Sequence, residues 1–190
     1  MAPKKALLIL SSCILCGCST AIPGSDATSG TPAVENATGP GPYTFDCNAE
    51  WGQDKQLRIR MPGGKLKVGG TISFLTTRRP GTARLSTASV VLVPSGKPPR
   101  IALVSRVTGD TTRISFGCDR PRNCVFANIP FTAKPMPFSL QTDQTGTGVS
   151  ASFGDIVAPT VLSASGLNHV VLSCSTTHVL FSDVTIVALK

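Results

Sequence analysis

The residues with the most pointed chemistry are basic. Lys55, Arg58, Arg60, Lys65, Lys67, Arg78, Arg79 and Arg84 fall within thirty positions that contain no acid. If Gly63-Gly64 closes a two-residue hairpin, Met61 faces Leu66, Arg60 faces Lys67 and Ile59 faces Val68. Strand parity then puts Arg58, Arg60, Lys65 and Lys67 on one face and the apolar residues on the other. Like charges opposed across strands cost from a few tenths to about 1 kcal/mol, so such a face wants full solvation or an anionic partner. The four are therefore an anion-binding candidate. The plain alternative is a solvated, lysine-guarded strand edge that discourages sheet-to-sheet aggregation.

Other chemistries find less support. Hydrolysis needs two converging carboxylates or a nucleophile beside a base. Asp46 and Glu50 share strand parity, but four positions along a strand separate them by roughly 13 Å, too far for a glycosidase pair. No G-x-S-x-G or H-E-x-x-H occurs. If the segments of His169 and His178 form a hairpin through Ser175 to Thr177, the two imidazoles lie ~16 Å apart and cannot share a metal. Asp110 and Asp143 each offer one carboxylate to a turn, whereas hard cations want six or more oxygens. No catalytic residue, metal site or cofactor is expected. Sugar binding favours flat aromatic faces, and the chain has one Trp, one Tyr and eight Phe. Most Phe fall on apolar parity and read as core. Trp51, beside Glu50 and near Asp54, is the glycan-binding candidate, with burial as a core anchor its bland reading. So few aromatics also argue against nucleic acid.

The elements that must position these residues are strands. Apolar residues recur at every second position in Leu57, Ile59 and Met61, in Leu66 and Val68, in Ile72 and Phe74, and in Ile114 and Phe116. Denser β-branched runs cover Ser89 to Val93, Arg100 to Val107, Cys124 to Asn128, His169 to Cys174 and Val179 to Leu189, separated by turn residues. The pattern predicts ten to twelve strands and no helix: an all-β, antiparallel β-sandwich of jelly-roll type. The segment Val179 to Ile186 resembles the closing strand of bacterial jelly-roll modules, galactose-binding-like and concanavalin-like. That resemblance implies architecture and not sugar specificity, because such folds host many functions.

The chain opens with Lys4 and Lys5, an apolar run from Ala6 to Cys16, then Gly17 and Cys18, the grammar of an export signal. A run of that length reaches only about 16 Å as a helix, half of a ~30 Å hydrocarbon core, so removal is expected. Leu15-Cys16-Gly17-Cys18 resembles the lipobox of bacterial lipoproteins, departing from the family at Cys16, where a small or β-branched residue is usual. The resemblance implies lipidation at Cys18 and anchoring in the cell envelope, and Ser19 after it implies the outer membrane. Residues 1–17 then form a signal peptide and 18–42 the lipidated cysteine with a flexible linker, since Ser, Thr, Ala, Gly and Pro dominate there. Asn36-Ala37-Thr38 reads as loop and not as a glycosylation site. Residues 43–190 form the sandwich domain.

Of seven cysteines, Cys13 and Cys16 leave with the signal and Cys18 carries lipid, so Cys47, Cys118, Cys124 and Cys174 remain. An even number in an oxidising compartment predicts two disulfides. Cys118 and Cys124 enclose five residues and suit a small loop, leaving Cys47 with Cys174, although three connectivities are open to sequence. After removal of the signal no C-x-x-C pair is left to favour zinc.

Taken together, these readings predict a non-catalytic envelope lipoprotein whose β-sandwich binds or packs against an envelope component, a polyanion or a protein partner. A carbohydrate-binding module of the envelope is the first alternative, and a divergent hydrolase the second.

Overall fold

The computed structural model describes residues 33–39, 41–61, 63–77, 85–95, 101–117, 125–162 and 166–190. Thirteen strands account for most of them: β1 (Ala33–Thr38), β2 (Tyr43–Asn48), β3 (Asp54–Arg60), β4 (Leu66–Thr77), β5 (Ser86–Pro94), β6 (Ile101–Thr108), β7 (Thr111–Phe116), β8 (Val125–Pro130), β9 (Met136–Thr142), β10 (Gly148–Phe153), β11 (Ile156–Leu162), β12 (Leu167–Ser175) and β13 (Thr177–Ala188). No helix occurs among the described residues. A seven-stranded sheet runs β1-β3-β12-β5-β6-β7-β8 and a six-stranded sheet runs β11-β10-β9-β4-β13-β2. Every pairing is antiparallel except β1 with β3. The architecture is the all-β sandwich of jelly-roll type expected from sequence.

Alternation builds the core. Every apolar residue that carried the period-two reading is buried: Leu57, Ile59, Met61, Leu66, Val68, Ile72, Phe74, Ile114 and Phe116. Six phenylalanines are buried, and Phe126 and Phe131 pack partly buried against the same cluster. Phe45 stacks on Phe181 with ring centroids 6.0 Å apart. Cys47 on β2 is bonded to Cys174 on β12, so this disulfide joins the two sheets through the core. Cys118 and Cys124 lie outside the described residues, as do Cys18 and the lipobox.

Several expectations are corrected. Gly63-Gly64 does not close a hairpin: β3 belongs to the seven-stranded sheet and β4 to the six-stranded one, so the connection crosses the sandwich. Both glycines have positive φ, 83° and 92°, as a tight reversal needs. Parity could not reveal the difference, because a crossover keeps the same residues inward as a hairpin does. The same holds for Ser175 to Thr177, which carries the chain between sheets with Thr176 at φ 53°. Asn36-Ala37-Thr38 is strand, not loop, and the linker assignment fails over Ala33–Thr38. The composition argument weighed side-chain burial, whereas β1 is held by backbone pairing, from Ala33 opposite Lys55 to Thr38 opposite Arg60. Glu35, Asn36 and Thr38 stay exposed. With β1 the strands number thirteen, above the expected range.

Candidate functional site

The seven-stranded sheet places two arginines and a histidine together on its outer surface. Ile59 between Arg58 and Arg60 is fully buried, so alternation turns both arginines outward, and both are exposed. In the β3–β12 ladder His169 lies opposite Arg60 and Val171 opposite Arg58. On the other flank β1 brings Asn36 opposite Arg58 and Thr38 opposite Arg60. Side chains directly opposed in a sheet have Cβ atoms about 5 Å apart, so these heads share one patch. Neither Arg58 nor Arg60 forms an ion pair with a described residue. The nearest outward acid on the strand is Asp54, four positions from Arg58 and roughly 13 Å away.

His169 Nδ1 donates to Asn168 Oδ1 at 2.7 Å, which leaves Nε2 without the proton when the ring is neutral. Its pKa is held below the ordinary histidine value, first by partial burial and then by the Arg58 and Arg60 guanidinium groups. Chemically the patch is two permanent cations beside an imidazole whose protonation they disfavour. Bidentate guanidinium recognition of carboxylate or phosphate is within its means.

Lys65 and Lys67 do not join it. They follow the crossover onto the six-stranded sheet, where Lys67 lies between Gln141 and Val187 on the opposite exterior of the sandwich. Lys65 Nζ donates to the Lys190 oxygen at 3.4 Å, and the Leu189 amide donates to the Lys65 carbonyl at 2.9 Å. The four-residue anion patch expected from sequence is therefore two pairs back to back.

The remaining candidates separate as well. His178 and His169 sit on outer faces of different sheets, so the intended hairpin spacing does not apply. His178 Nε2 instead meets Asp46 Oδ1 at 2.5 Å. Sequence gave no signal for that pair, whose members are 132 residues apart. Among the described residues no hydroxyl or thiol hydrogen-bonds the ring's other nitrogen. Glu50 lies beyond the end of β2, in the turn before β3, and does not share the strand with Asp46. Trp51 is in that turn and 55% exposed, not a core anchor. Tyr43 is half-buried, its hydroxyl donating to the Gly39 carbonyl at 2.6 Å. Asp143 Oδ1 accepts from Thr145 Oγ1 at 2.8 Å and from the Thr147 amide at 3.1 Å; these bonds hold its carboxyl below the usual range and close a plain turn. Among the described residues no group of three His, Cys, Asp or Glu could hold a metal ion. At the sandwich edge Phe116, Val125, Phe126, Pro159 and Val161 line a cleft of about 150 Å³ with no charged side chain in its wall.

No family model matches this chain, and no curated protein matches it. Among solved structures, a functionally unknown protein from Saccharomyces cerevisiae is similar at TM-score 0.52 and 8% identity, over 80% of this chain and 92% of that one. A carbohydrate-binding module from Bacillus subtilis gives TM-score 0.46 and 12% identity, over 78% of this chain and 97% of its own. A galectin from Caenorhabditis elegans gives 0.45 and 10%, over 77% and 99%. At these identities the likeness to the yeast protein is one of fold alone.

Proposed function

We propose that this chain is a non-catalytic, lipid-anchored protein of the bacterial cell envelope, sited at the outer membrane, whose sandwich holds an anionic group of an envelope component on the outer face of the seven-stranded sheet. One observation carries the reading: Arg58, Arg60 and His169 occupy adjacent outward positions, and neither arginine forms an ion pair with a described acid. The lipobox-like Leu15-Cys16-Gly17-Cys18 supplies the address, and stable anchoring follows if more than one acyl chain is attached. Lipid phosphate and the carboxylate or phosphate of an acidic glycan present the same chemistry to the arginines.

Binding is measured at low salt with anionic vesicles, with a soluble uronate-containing polysaccharide and with a neutral polysaccharide. The reading expects binding to at least one anionic probe that weakens with salt and falls roughly 10- to 100-fold in Arg58→Gln/Arg60→Gln, the favoured probe naming the source. Equal binding of the neutral polysaccharide, dependent on Trp51, moves the conclusion to a glycan module. Failure of every probe removes it.

A further inference from the structure

Arg58 and Arg60 share their exterior with a second basic pair. Arg106 on β6 stands between Ser105 and Val107, and Arg113 on β7 between Thr112 and Ile114. All four neighbours are buried, so alternation turns both arginines to the outer face of the seven-stranded sheet. The two are directly opposed in the β6–β7 ladder. Continuous register fixes their place relative to Arg58: Asp54 lies opposite Ser175, Ser175 opposite Thr87, and Thr87 opposite Arg106. Arg106 is thus three strands across and four positions along from Arg58. At ~4.8 Å between strands and ~3.3 Å per residue, that diagonal is about 20 Å.

Short side chains fill the path between the pairs. Val171 and Ser173 on β12, Ser89 and Val91 on β5 and Val104 on β6 turn to this face, and the Ser89 and Ser173 hydroxyls are paired at 2.6 Å. Strand side chains stand roughly perpendicular to the sheet, so valine and serine stop close to the backbone while the arginine heads rise above them. Asp54, three strands from Arg106, is the one acid that the described strands turn to this face, and Asp110 sits beyond Arg113 in the β6–β7 turn.

Charge and shape together select the occupant. A bilayer is flat on this scale and would rest on the arginine heads without entering the path. Nucleic-acid bases stack on aromatic side chains, and the described strands turn no Phe, Tyr or Trp to this face. An extended peptide docks by pairing with a strand edge, whereas β3 to β6 is the interior of the sheet. We propose that this face binds a linear acidic polysaccharide laid diagonally from Arg58 and Arg60 to Arg106 and Arg113, its carboxylates on the guanidinium forks and its hydroxyls over the Ser89–Ser173 pair. The inference rests on the anion-binding reading of Arg58 and Arg60 and extends it from one anionic group to a chain of them.

The full chain is titrated with digalacturonate and with octagalacturonate at one moderate salt concentration, octaglutamate and anionic vesicles serving as the other polyanions. The octamer is expected to bind about 100-fold tighter than the dimer, because occupying one basic pair raises the effective concentration at the other. Arg106→Gln/Arg113→Gln lowers octamer affinity about tenfold or more. The same variant leaves the dimer within about twofold, since the dimer reaches only one pair, and that retained binding reports an intact fold. Arg58→Gln/Arg60→Gln weakens both ligands. An octamer that gains only the statistical advantage of its several dimer registers, or one indifferent to Arg106 and Arg113, overturns the proposal while dimer binding keeps the anion-binding reading standing. Octaglutamate or vesicles held more tightly than octagalacturonate, through both pairs, overturn it by naming another occupant. Galacturonates that do not bind at all overturn it too, and the anion-binding reading falls with it only if the vesicles also fail.

Discussion

His169 stands directly opposite Arg60 in the β3–β12 ladder, with Arg58 two residues away on the same outer face. Partial burial, then these two guanidinium groups, disfavour the imidazolium and lower the pKa of His169. The folded protein therefore binds this proton less readily than the unfolded chain. The contribution to stability is intact above the ordinary histidine value and is lost as pH falls below it through the folded value. Imidazole NMR titration is expected to show the pKa rising in Arg58→Gln and in Arg60→Gln. It also rises on saturation with a bound anion, and anion affinity accordingly strengthens as pH falls through this titration. A pKa indifferent to both arginines would mean that burial alone sets it.

The crossover at Gly63-Gly64 makes the two basic pairs independent. Arg58→Gln/Arg60→Gln is expected to weaken anion binding roughly 10- to 100-fold, the range for losing one charge-assisted hydrogen bond of about 1.5–3 kcal/mol. Lys65→Gln/Lys67→Gln, altering the opposite exterior, leaves it within about twofold at moderate salt, where distant exposed charges are screened. Titration of both variants against one anionic probe checks this. Comparable losses would place the ligand around the sandwich rim and not on one face.

Which residues face inward was legible in the sequence, because Leu57, Ile59, Leu66 and Val68 keep parity whatever lies across from them. Which strand lies across was not legible. Nothing in Met61 to Lys65 distinguishes a hairpin from a crossover, since both reversals use Gly at positive φ. Arg58 and Arg60 stay side by side because they sit on one strand. His169 joins them only through a register spanning more than a hundred residues, which single-sequence reasoning cannot supply. β1 escaped notice for a related reason: its strand pairing is made by backbone groups, which composition does not record.

β4 runs without interruption through Gly69 and Gly70. A Cβ on Gly70 would meet the Ser182 carbonyl at 3.0 Å and Val184 Cγ2 at 3.0 Å, where β13 bulges at Asp183 with φ 54°. A Cβ on Gly69 would find the Phe138 carbonyl at 3.6 Å, ordinary contact. Gly70→Val is expected to destabilise by about 1–3 kcal/mol or more through overpacking, whereas Gly69→Ala stays within about 1 kcal/mol of the parent. Urea unfolding of both variants decides whether the pair is a close fit at the bulge or a strand interruption.

The bond between Cys47 and Cys174 ties β2, at the edge of the six-stranded sheet, to β12 inside the seven-stranded one, across 127 residues of sequence. β2 has a ladder partner on one side only, so the bridge is its second attachment. Closing so long a loop in the unfolded chain removes conformational entropy, and losing a native disulfide of this kind costs about 2–5 kcal/mol. Cys47→Ala/Cys174→Ala is expected to lower the unfolding free energy by that amount, β2 amides exchanging with deuterium ahead of those in β4 and β12. Both sulfurs are buried, so a reductant reaches them only when the sheets part. Alkylation after mild reduction should then follow the rate of opening and rise steeply with urea, and peptide mapping without reduction should recover the two cysteines as one linked pair. Rapid labelling of Cys47 in native buffer would show instead that β2 frays alone and that the bridge holds an edge, not the sandwich.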